Sequence, residues 1–441
     1  MSPEDTVDSV DLIRLLYVGN DGVTRGYVAN AEDIERLAED GMNLATGMQS
    51  FNSLDHLSPS GPYGPAGAVR LIPDLETFCE LPYAERSGSV LCTIEDHDGT
   101  PWEADPRSTL EAFLDSQPWT AKAAFESEFY LITETEDGIE PFDDTVCFSP
   151  EGMQNTNDIA LEIIDALEAQ GMDFVTYYPE YGPGQQEFVI SYDEAMQAAD
   201  NHVRLENTVK GVAANNELQA TFLPKPFEDA AGSGCHIHIS LWDDDKNTFY
   251  DSSGEDPYSL SKTARHFVGG ILKHAPALLA LTAPSITSYR RLRPGMWASA
   301  YSCWGFDNRE ALVRIPFATR TSPEDSTRIE FKAGDNTMNP YLALLGLLAA
   351  GSDGIDRELD PGAPLDTDPA ALSDSERDEQ GIERLPETLG DAIDALAEND
   401  VLADALGDGL YESYLDVKRS QWDEFAGETT DWEIDQLRRP F

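Results

Sequence analysis

The sequence predicts an α+β protein with a small N-terminal domain, residues 1–103, and a larger second domain, residues 104–441. Three observations carry this reading. The chain has 441 residues, more than one ordinary hydrophobic core organises. Apolar residues recur at a period of two in some stretches and at helical spacing in others. A helix start falls between the two parts. In ADPRSTLEAFLDS (104–116), Asp105 can cap and Pro106 occupies the first turn, which sets the boundary.

Before that boundary lie one amphipathic helix, around AEDIERLAEDG (31–41), and strand-like runs such as GAVRLIPDL and SVLCTIED. Beyond it the apolar runs FESEFYLI, QQEFVIS, CHIHISLW, ALVRIP and TRIEFKA read as strands, rich in β-branched and aromatic residues. Helical spacing marks NDIALEIIDALEAQG, DEAMQAADNHVRLENTVKGVAANN, AALSDSERDEQGI and LGDAIDALAENDVLADALG. DDDKNTFYDSSGEDPYS (243–259) reads as a surface loop, and there is no internal repeat or low-complexity tract.

Charge narrows the partners. The chain carries 29 basic and 83 acidic residues, a net charge of −54, with the acids spread over almost every segment. Such a surface repels nucleic acid and anionic membranes, so neither is an expected partner. Its self-repulsion is screened by molar salt, which points to the cytoplasm of a salt-accumulating halophile. The five cysteines are dispersed, odd in number and never in CxxC spacing, as suits a reducing compartment. The opening MSPEDTVDSVDL lacks the basic and apolar regions of a signal peptide. The longest apolar run, YLALLGLLAAG (341–351), is too short to span a bilayer, so a soluble protein is expected.

FESEFYL (125–131) poses a chemical problem. As a strand it directs Glu126 and Glu128 from one face, and Phe125, Ser127 and Phe129 from the other. Two carboxylates on one face repel, and burying either is costly without a neutralising partner. The pattern recurs. His236, His238 and Ser240 share a face in GCHIHIS, as do Arg328, Glu330 and Lys332 in TRIEFKA. In YYPEYGPGQQEFVIS, Glu180 precedes a Gly/Pro turn and Glu187 opens the next strand. Any one of these faces, taken alone, fits a solvated surface. Together they do not, because a solvated face rarely selects His-x-His-x-Ser or Arg-x-Glu-x-Lys between strong apolar neighbours. Clustered glutamates with an imidazole suit Mg²⁺ or Mn²⁺. Two such ions point to phosphoryl transfer or hydrolysis. Seven basic residues fall in SYRRLRPG (288–295), NREALVRIP (308–316) and STRIEFK (326–332), a concentration suited to anion binding or to salt bridges with the acidic surface.

From about residue 100 to VKRSQWDEF, these segments resemble the glutamine synthetase superfamily in sequence, order and spacing. The resemblance is carried by FESEF, PEYGPGQQE, ATFLPKPF, GSGCHIHISL, SYRRLRPG, WGFDNREALVRIP and RIEFKAGDNTMNPYLA, while the N-terminal hundred residues match more loosely. It implies a β-grasp-like N-terminal domain and a catalytic domain whose curved antiparallel sheet forms a funnel flanked by helices. It implies two to three Mg²⁺ or Mn²⁺ ions per site, one on Glu128, Glu180 and Glu187 and another on Glu126, His236 and Glu330. ATP is implied as a substrate. His238 and Ser240 match positions near it, and Tyr192 falls where a ring stacks on adenine. Arg309, Arg314 and Arg328 match residues that hold its phosphates and the phosphoryl in flight, and Gly232 and Arg291 match contacts to glutamate. The implied chemistry has two steps: glutamate's γ-carboxylate takes the γ-phosphoryl of ATP, then an amine displaces phosphate to leave an amide. Relatives assemble as rings, so a homo-oligomer is expected, a dodecamer of two stacked hexamers.

The chain departs from the family where ammonia is handled. Ammonia-using members place an Asp in a DGSSI-like stretch of the N-terminal domain and a Glu in a PGYEAP flap. The corresponding segments here are GMQSF (47–51) and PGMWAS (294–299), with Gly47 and Trp297 at those positions. An indole suits the methylenes of an alkyl amine and can attract an ammonium head. GMWAS resembles the branch that joins glutamate to polyamines or other organic amines, the γ-glutamylpolyamine synthetases. Two further departures touch the acid substrate: AGSGCH has Ala231 where an Asn is usual, and RIEFK ends in Lys332 where an Arg is usual, a point charge in place of a fork. The leading expectation is an ATP-dependent glutamate–amine ligase using putrescine, another polyamine or another organic amine. Two alternatives stand beside it: a true glutamine synthetase in which a nearby acid such as Asp55 takes over, and a catalytically silent structural or regulatory member.

Overall fold

The computed structural model describes residues 9–136, 138–253 and 258–428. Its first sheet contains β1 (Leu12–Val18), β2 (Thr24–Asn30), β3 (Met42–Ala45), β4 (Ala68–Pro73), β5 (Cys79–Glu80) and β6 (Ser87–Glu95). The strand order is β2-β1-β6-β4-β3, with β5 also on β6, and β1 runs parallel to β6 while the other pairs are antiparallel. Alternation drives the packing. Ile13, Leu15 and Tyr17 of β1 and Val90, Cys92 and Ile94 of β6 point inward, against Ile34 and Leu37 of the helix Ile34–Asp40.

The second sheet is larger. Its strands are β7 (Thr120–Thr135), β8 (Gly138–Pro141), β9 (Phe174–Pro179), β10 (Gln185–Ile190), β11 (Asp193–Glu194) and β12 (Gln219–Thr221). They continue with β13 (Cys235–Asp243), β14 (Lys246–Asn247), β15 (Trp304–Phe306), β16 (Val313–Ile315) and β17 (Ile329–Phe331). The main path is β15-β16-β17-β13-β7-β10-β9, with β8, β11 and β12 pairing β7, and β14 pairing β13. One pair departs from the antiparallel expectation: β15 and β16 are parallel. The 16-residue β7 is the spine, and the helix Ala195–Asn215 packs on it. Beneath the sheet, the helices Lys262–Thr282 and Pro340–Asp356 pack together in the largest core. The second of these contains YLALLGLLAAG, which is buried on every side; no helix among the described residues is long and apolar enough to cross a membrane.

Local signals held where chain chemistry set them. Asp105 caps the helix Pro106–Asp115 by accepting the Ser108 N–H, with Pro106 in the first turn. Other readings need correction. LGDAIDALAENDVLADALG is two helices, Leu389–Ala397 and Asp400–Leu406, because the Asn399 side chain caps the second. In AALSDSERDEQGI only Asp374–Gln380 is α-helical, opened by a capping box between Ser373 and Glu376. The loop 243–259 is not wholly a surface loop. Phe249 is buried in the core and Asn247 Nδ2 donates to the Thr327 carbonyl at 2.7 Å, while residues 254–257 lie outside the described residues. So do residues 1–8, on which most of the signal-peptide reading rests.

Candidate active site

Period-two alternation sends Lys122, Ala124, Glu126 and Glu128 to one face of β7, and the buried Ala121, Ala123, Phe125, Ser127 and Phe129 to the other. Register then gathers the polar faces of five strands. Glu126 stands opposite His236 on β13, and Glu128 opposite Glu187 on β10. His238 is opposite Glu330 on β17, and Glu330 is opposite Arg314 on β16. A solvated surface does not describe these groups, since Glu187, His238, Glu330 and Lys332 are buried.

One cluster surrounds Glu330, whose side chain is fully buried. His236 Nδ1 lies 3.2 Å from its Oε1 and 3.7 Å from Glu126 Oε2. His238 Nε2 lies 3.0 Å from Glu126 Oε1. Arg314 Nη1 reaches Glu330 Oε2 at 2.8 Å, and its Nε reaches Asp307 at 3.2 Å. Lys332 Nζ sits 3.7 Å from Glu330 and 3.4 Å from His236 Nε2. Burial pushes the Glu330 carboxyl up, but Lys332 and His236 overcome it and hold it far below the usual carboxylate range. Glu126 behaves alike: burial raises it, and His238 and His236 pull it well down. Arg328 Nε donates to His238 Nδ1 at 3.0 Å, which leaves Nε2 as the proton-bearing nitrogen facing Glu126.

A second cluster is purely acidic. Glu128 accepts the Gly234 N–H at 2.9 Å and the Gln185 side-chain amide at 3.0 Å. Tyr178 donates its hydroxyl to Glu187, and Glu180 accepts the Tyr181 N–H at 2.9 Å. Burial, then repulsion from Glu128, raises Glu180 to about 7; the same two causes and Glu126 push Glu187 well above its ordinary range.

Among the described residues, one group has the donor geometry for a divalent cation, and it contains His238 where the sequence pointed to His236. Glu126, His238 and Glu330 each bring a donor atom within 4.8 Å of the others, and both Glu330 oxygens are buried without a geometrically sound hydrogen bond. The acidic cluster has the opposite need: Glu128 raises the pKa of both Glu180 and Glu187, and a cation among them would offset that repulsion. Oxygen-rich donors with imidazole are the set that Mg²⁺ and Mn²⁺ accept.

The remaining expected residues fall around these clusters. Ser240 is buried and accepts the Trp242 indole N–H at 2.9 Å. Lys122 links half-exposed Tyr192 to Trp242, its Nζ 3.9 Å from the Trp242 ring and 5.6 Å from the Tyr192 ring. Lys122 and Trp242 were missed by the sequence reading. The signal was present, because continuing the alternation from Glu126 and His238 reaches them. On the opposite side, buried Arg291 donates to the carbonyls of Ala333 at 3.2 Å and Lys332 at 3.0 Å. Gly232 and Gly234 let it lie close: a Cβ on Gly234 would stand 2.6 Å from Arg291 Nη2, and one on Gly232 2.7 Å from its Cγ. Exposed Arg309 places its guanidinium 5.7 Å from the Trp297 ring centroid, and Tyr181 meets that ring edge-on at 5.5 Å. Glu310, also unforeseen, accepts the Trp297 N–H at 2.9 Å. Gly47 is buried, and a Cβ there would lie 2.6 Å from the Gly64 carbonyl oxygen. Asp55 forms an exposed ion pair with Arg25 at 2.8 Å.

One face of the large sheet gathers carboxylates, imidazoles and guanidinium groups, an arrangement that fits an ATP-dependent ligase forming C–N bonds. The chain belongs to the glutamine synthetase family: the family's catalytic-domain model matches residues 103–437 and its N-terminal-domain model residues 3–102. It is similar to a glutamine synthetase of Halobacterium salinarum, 38% identical over 384 residues, covering 85% of this chain and 83% of that protein. One from Methanocaldococcus jannaschii is 38% identical over 374 residues, covering 82% and 81%. Among solved structures, a novel glutamine synthase homolog superposes with a TM-score of 0.85 at 30% identity, covering 98% of this chain and 99% of that one. A GmaS/ADP complex does so with a TM-score of 0.86 at 29% identity, covering 99% and 98%.

Proposed function

We propose that this chain joins the γ-carboxylate of glutamate to an organic amine, putrescine, another polyamine or a smaller alkylamine, with conversion of ATP to ADP. The observation that carries the reading is the acceptor side. Where ammonia-using relatives place two acids, this chain has Trp297 beside Tyr181, and Gly47 packed so closely on Gly64 that an acid has no room there. Asp55, the nearby candidate replacement, is exposed and joins Asp21 in an ion pair with Arg25.

The family resemblance assigns the roles, and the two clusters support those of the cation ligands. Glu128, Glu180 and Glu187 would hold one cation, and Glu126, His236 and Glu330 another. His236 is preferred to His238 because Arg328 donates to His238 Nδ1, whereas His236 directs Nδ1 at both carboxylates. Bound there, the ions would neutralise charge on phosphate oxygens. Arg309, Arg314 and Arg328 would bind the phosphates and the transferring group, and His238, Ser240 and Tyr192 the nucleoside side, with Lys122 between them. Gly232, Arg291 and Lys332 would orient glutamate's carboxylates, the close Gly232–Arg291 packing shaping that pocket. Trp297 would exclude water and cover the methylenes of the amine, which attacks the γ-glutamyl phosphate.

We take residues 1–103 as the N-terminal domain and 104–441 as the catalytic one, in a ring-forming homo-oligomer of a halophile cytoplasm. Size-exclusion chromatography and melting temperature at low and molar KCl check those points; a monomer, or a melt indifferent to salt, counts against them.

ADP release at molar KCl, with glutamate plus ammonium, methylamine, putrescine or spermidine, tests the function. Ammonium as clearly the best acceptor overturns the proposal, and no turnover with any amine favours a silent member. Ammonia is the second reading, favoured by the names of the relatives that are 38% identical.

A further inference from the structure

We propose that Glu310 is a positioning residue for the amine acceptor, holding the turn 295–299 so that the Trp297 indole stands between Tyr181 and Arg309. The inference rests on the acceptor reading above and adds how its aromatic wall is kept in place.

The turn needs a restraint. Gly295, Trp297 and Ser299 all have positive φ, at 74°, 55° and 57°. For residues with a Cβ this region costs on the order of 1 kcal/mol each and persists only where the surroundings enforce it. Glu310 supplies that enforcement. Its Oε1 accepts the Trp297 N–H at 2.9 Å, and the Gly295 amide stabilises the same carboxylate. Ser299 adds a tie to the same segment, donating its hydroxyl to the Ala311 carbonyl at 2.8 Å.

The anchor is itself anchored. The Glu310 N–H donates to Asn308 Oδ1 at 3.1 Å, and Asn308 Nδ2 donates to the carbonyls of Leu365 at 2.8 Å and Thr367 at 3.0 Å. A chain of hydrogen bonds therefore runs from 365–367 through Asn308 and Glu310 to the backbone of Trp297. Consecutive residues grip Trp297 from two sides, Arg309 by its cation over the ring and Glu310 by its carboxylate on the backbone. Burial, then Asp368, raises the half-buried Glu310 carboxyl, and the hydrogen bonds from the Trp297 and Gly295 amides, with the charge of Lys332, favour its charged form.

Steady-state kinetics on the intact protein at molar KCl test this, with kcat and KM for glutamate, ATP and the amine in wild type, Glu310→Ala and Glu310→Gln. Losing a charge-assisted hydrogen bond should raise the amine KM about tenfold in Glu310→Ala, with the other two KM values moving less than about twofold. Glu310→Gln keeps an acceptor oxygen and should stay within about threefold of wild type. In a Trp297→Ala background, Glu310→Ala should add less than about twofold, because the two act as one unit. Where the alanine variant fails to fold, Glu310→Asp, one methylene too short, gives the same reading. An unchanged amine KM, or an equal rise in all three, overturns the proposal. Should wild type prefer ammonium, the organic-amine reading fails by itself; a raised ammonium KM in Glu310→Ala then supports the role of Glu310, and an unmoved one refutes it.

Discussion

Glu128 and Glu187 stand directly opposite each other on adjacent antiparallel strands, two carboxylates in one cross-strand pair. Like charges in that position destabilise a sheet by up to about 1 kcal/mol, so the pair makes sense as half of a cation site. Glu187→Gln should raise the melting temperature without metal by about 1–2 °C. It should also lose at least about half of the stabilisation that Mn²⁺ gives wild type. Equal Mn²⁺ stabilisation of both proteins in a thermal melt would remove the carboxylate pair from the metal assignment.

Trp297 stands edge-on to Tyr181 in the turn that we propose borders the amine acceptor. Trp297→Glu should shift the ratio of kcat/KM for ammonium over putrescine upward by about tenfold or more. An unchanged ratio means that the indole does not line the acceptor pocket.

Gly234 lies under the Arg291 guanidinium, where a Cβ would sit 2.6 Å from Nη2 and 3.2 Å from His236 Nε2. Gly234→Ala must therefore displace Arg291. Glutamate kcat/KM should fall by about tenfold or more while the ATP KM moves much less. Equal losses for both substrates would show that the displaced group belongs to the general fold and not to the acid pocket.

Lys418 gives a pH signature away from the site. It is fully buried, with Nζ donating to the Asp21 carbonyl at 3.2 Å, and burial lowers its pKa from 10.5 to about 8. Between those values the unfolded chain binds more protons than the folded one, so this residue's contribution to stability rises with pH from about 8 to 10.5 and is constant below. The difference in unfolding free energy between wild type and Lys418→Met should change across that window and be flat between pH 6 and 7.5. A difference that stays constant up to pH 10.5 would contradict the lowered pKa.

Alternation in FESEFYL, CHIHISL and RIEFK was enough to sort Glu126, Glu128, His236, His238, Glu330 and Lys332 onto common strand faces, because side-chain direction in a strand depends only on parity. Among the caps, Asp105 was read from the sequence and accepts an amide three residues on; Ser373 and Asn399 act over the same short range but were not read, which is why the helices they open were misplaced. The apolar helix Pro340–Asp356 was visible only as a run without a face, since a helix buried all round shows no amphipathic period.

Which faces meet was decided by the tertiary structure. Glu126 finds His236 and Glu128 finds Glu187 through backbone ladders between distant segments, and a shift of one residue would have turned either set away. The grip of Glu310 on Trp297 and the seating of Arg291 over Gly234 likewise depend on where loops cross. Local sequence determined the chemistry each segment offers, because that is set by residue type and parity. Long-range register and close packing decided which of those offers share one funnel, and no local pattern encodes them.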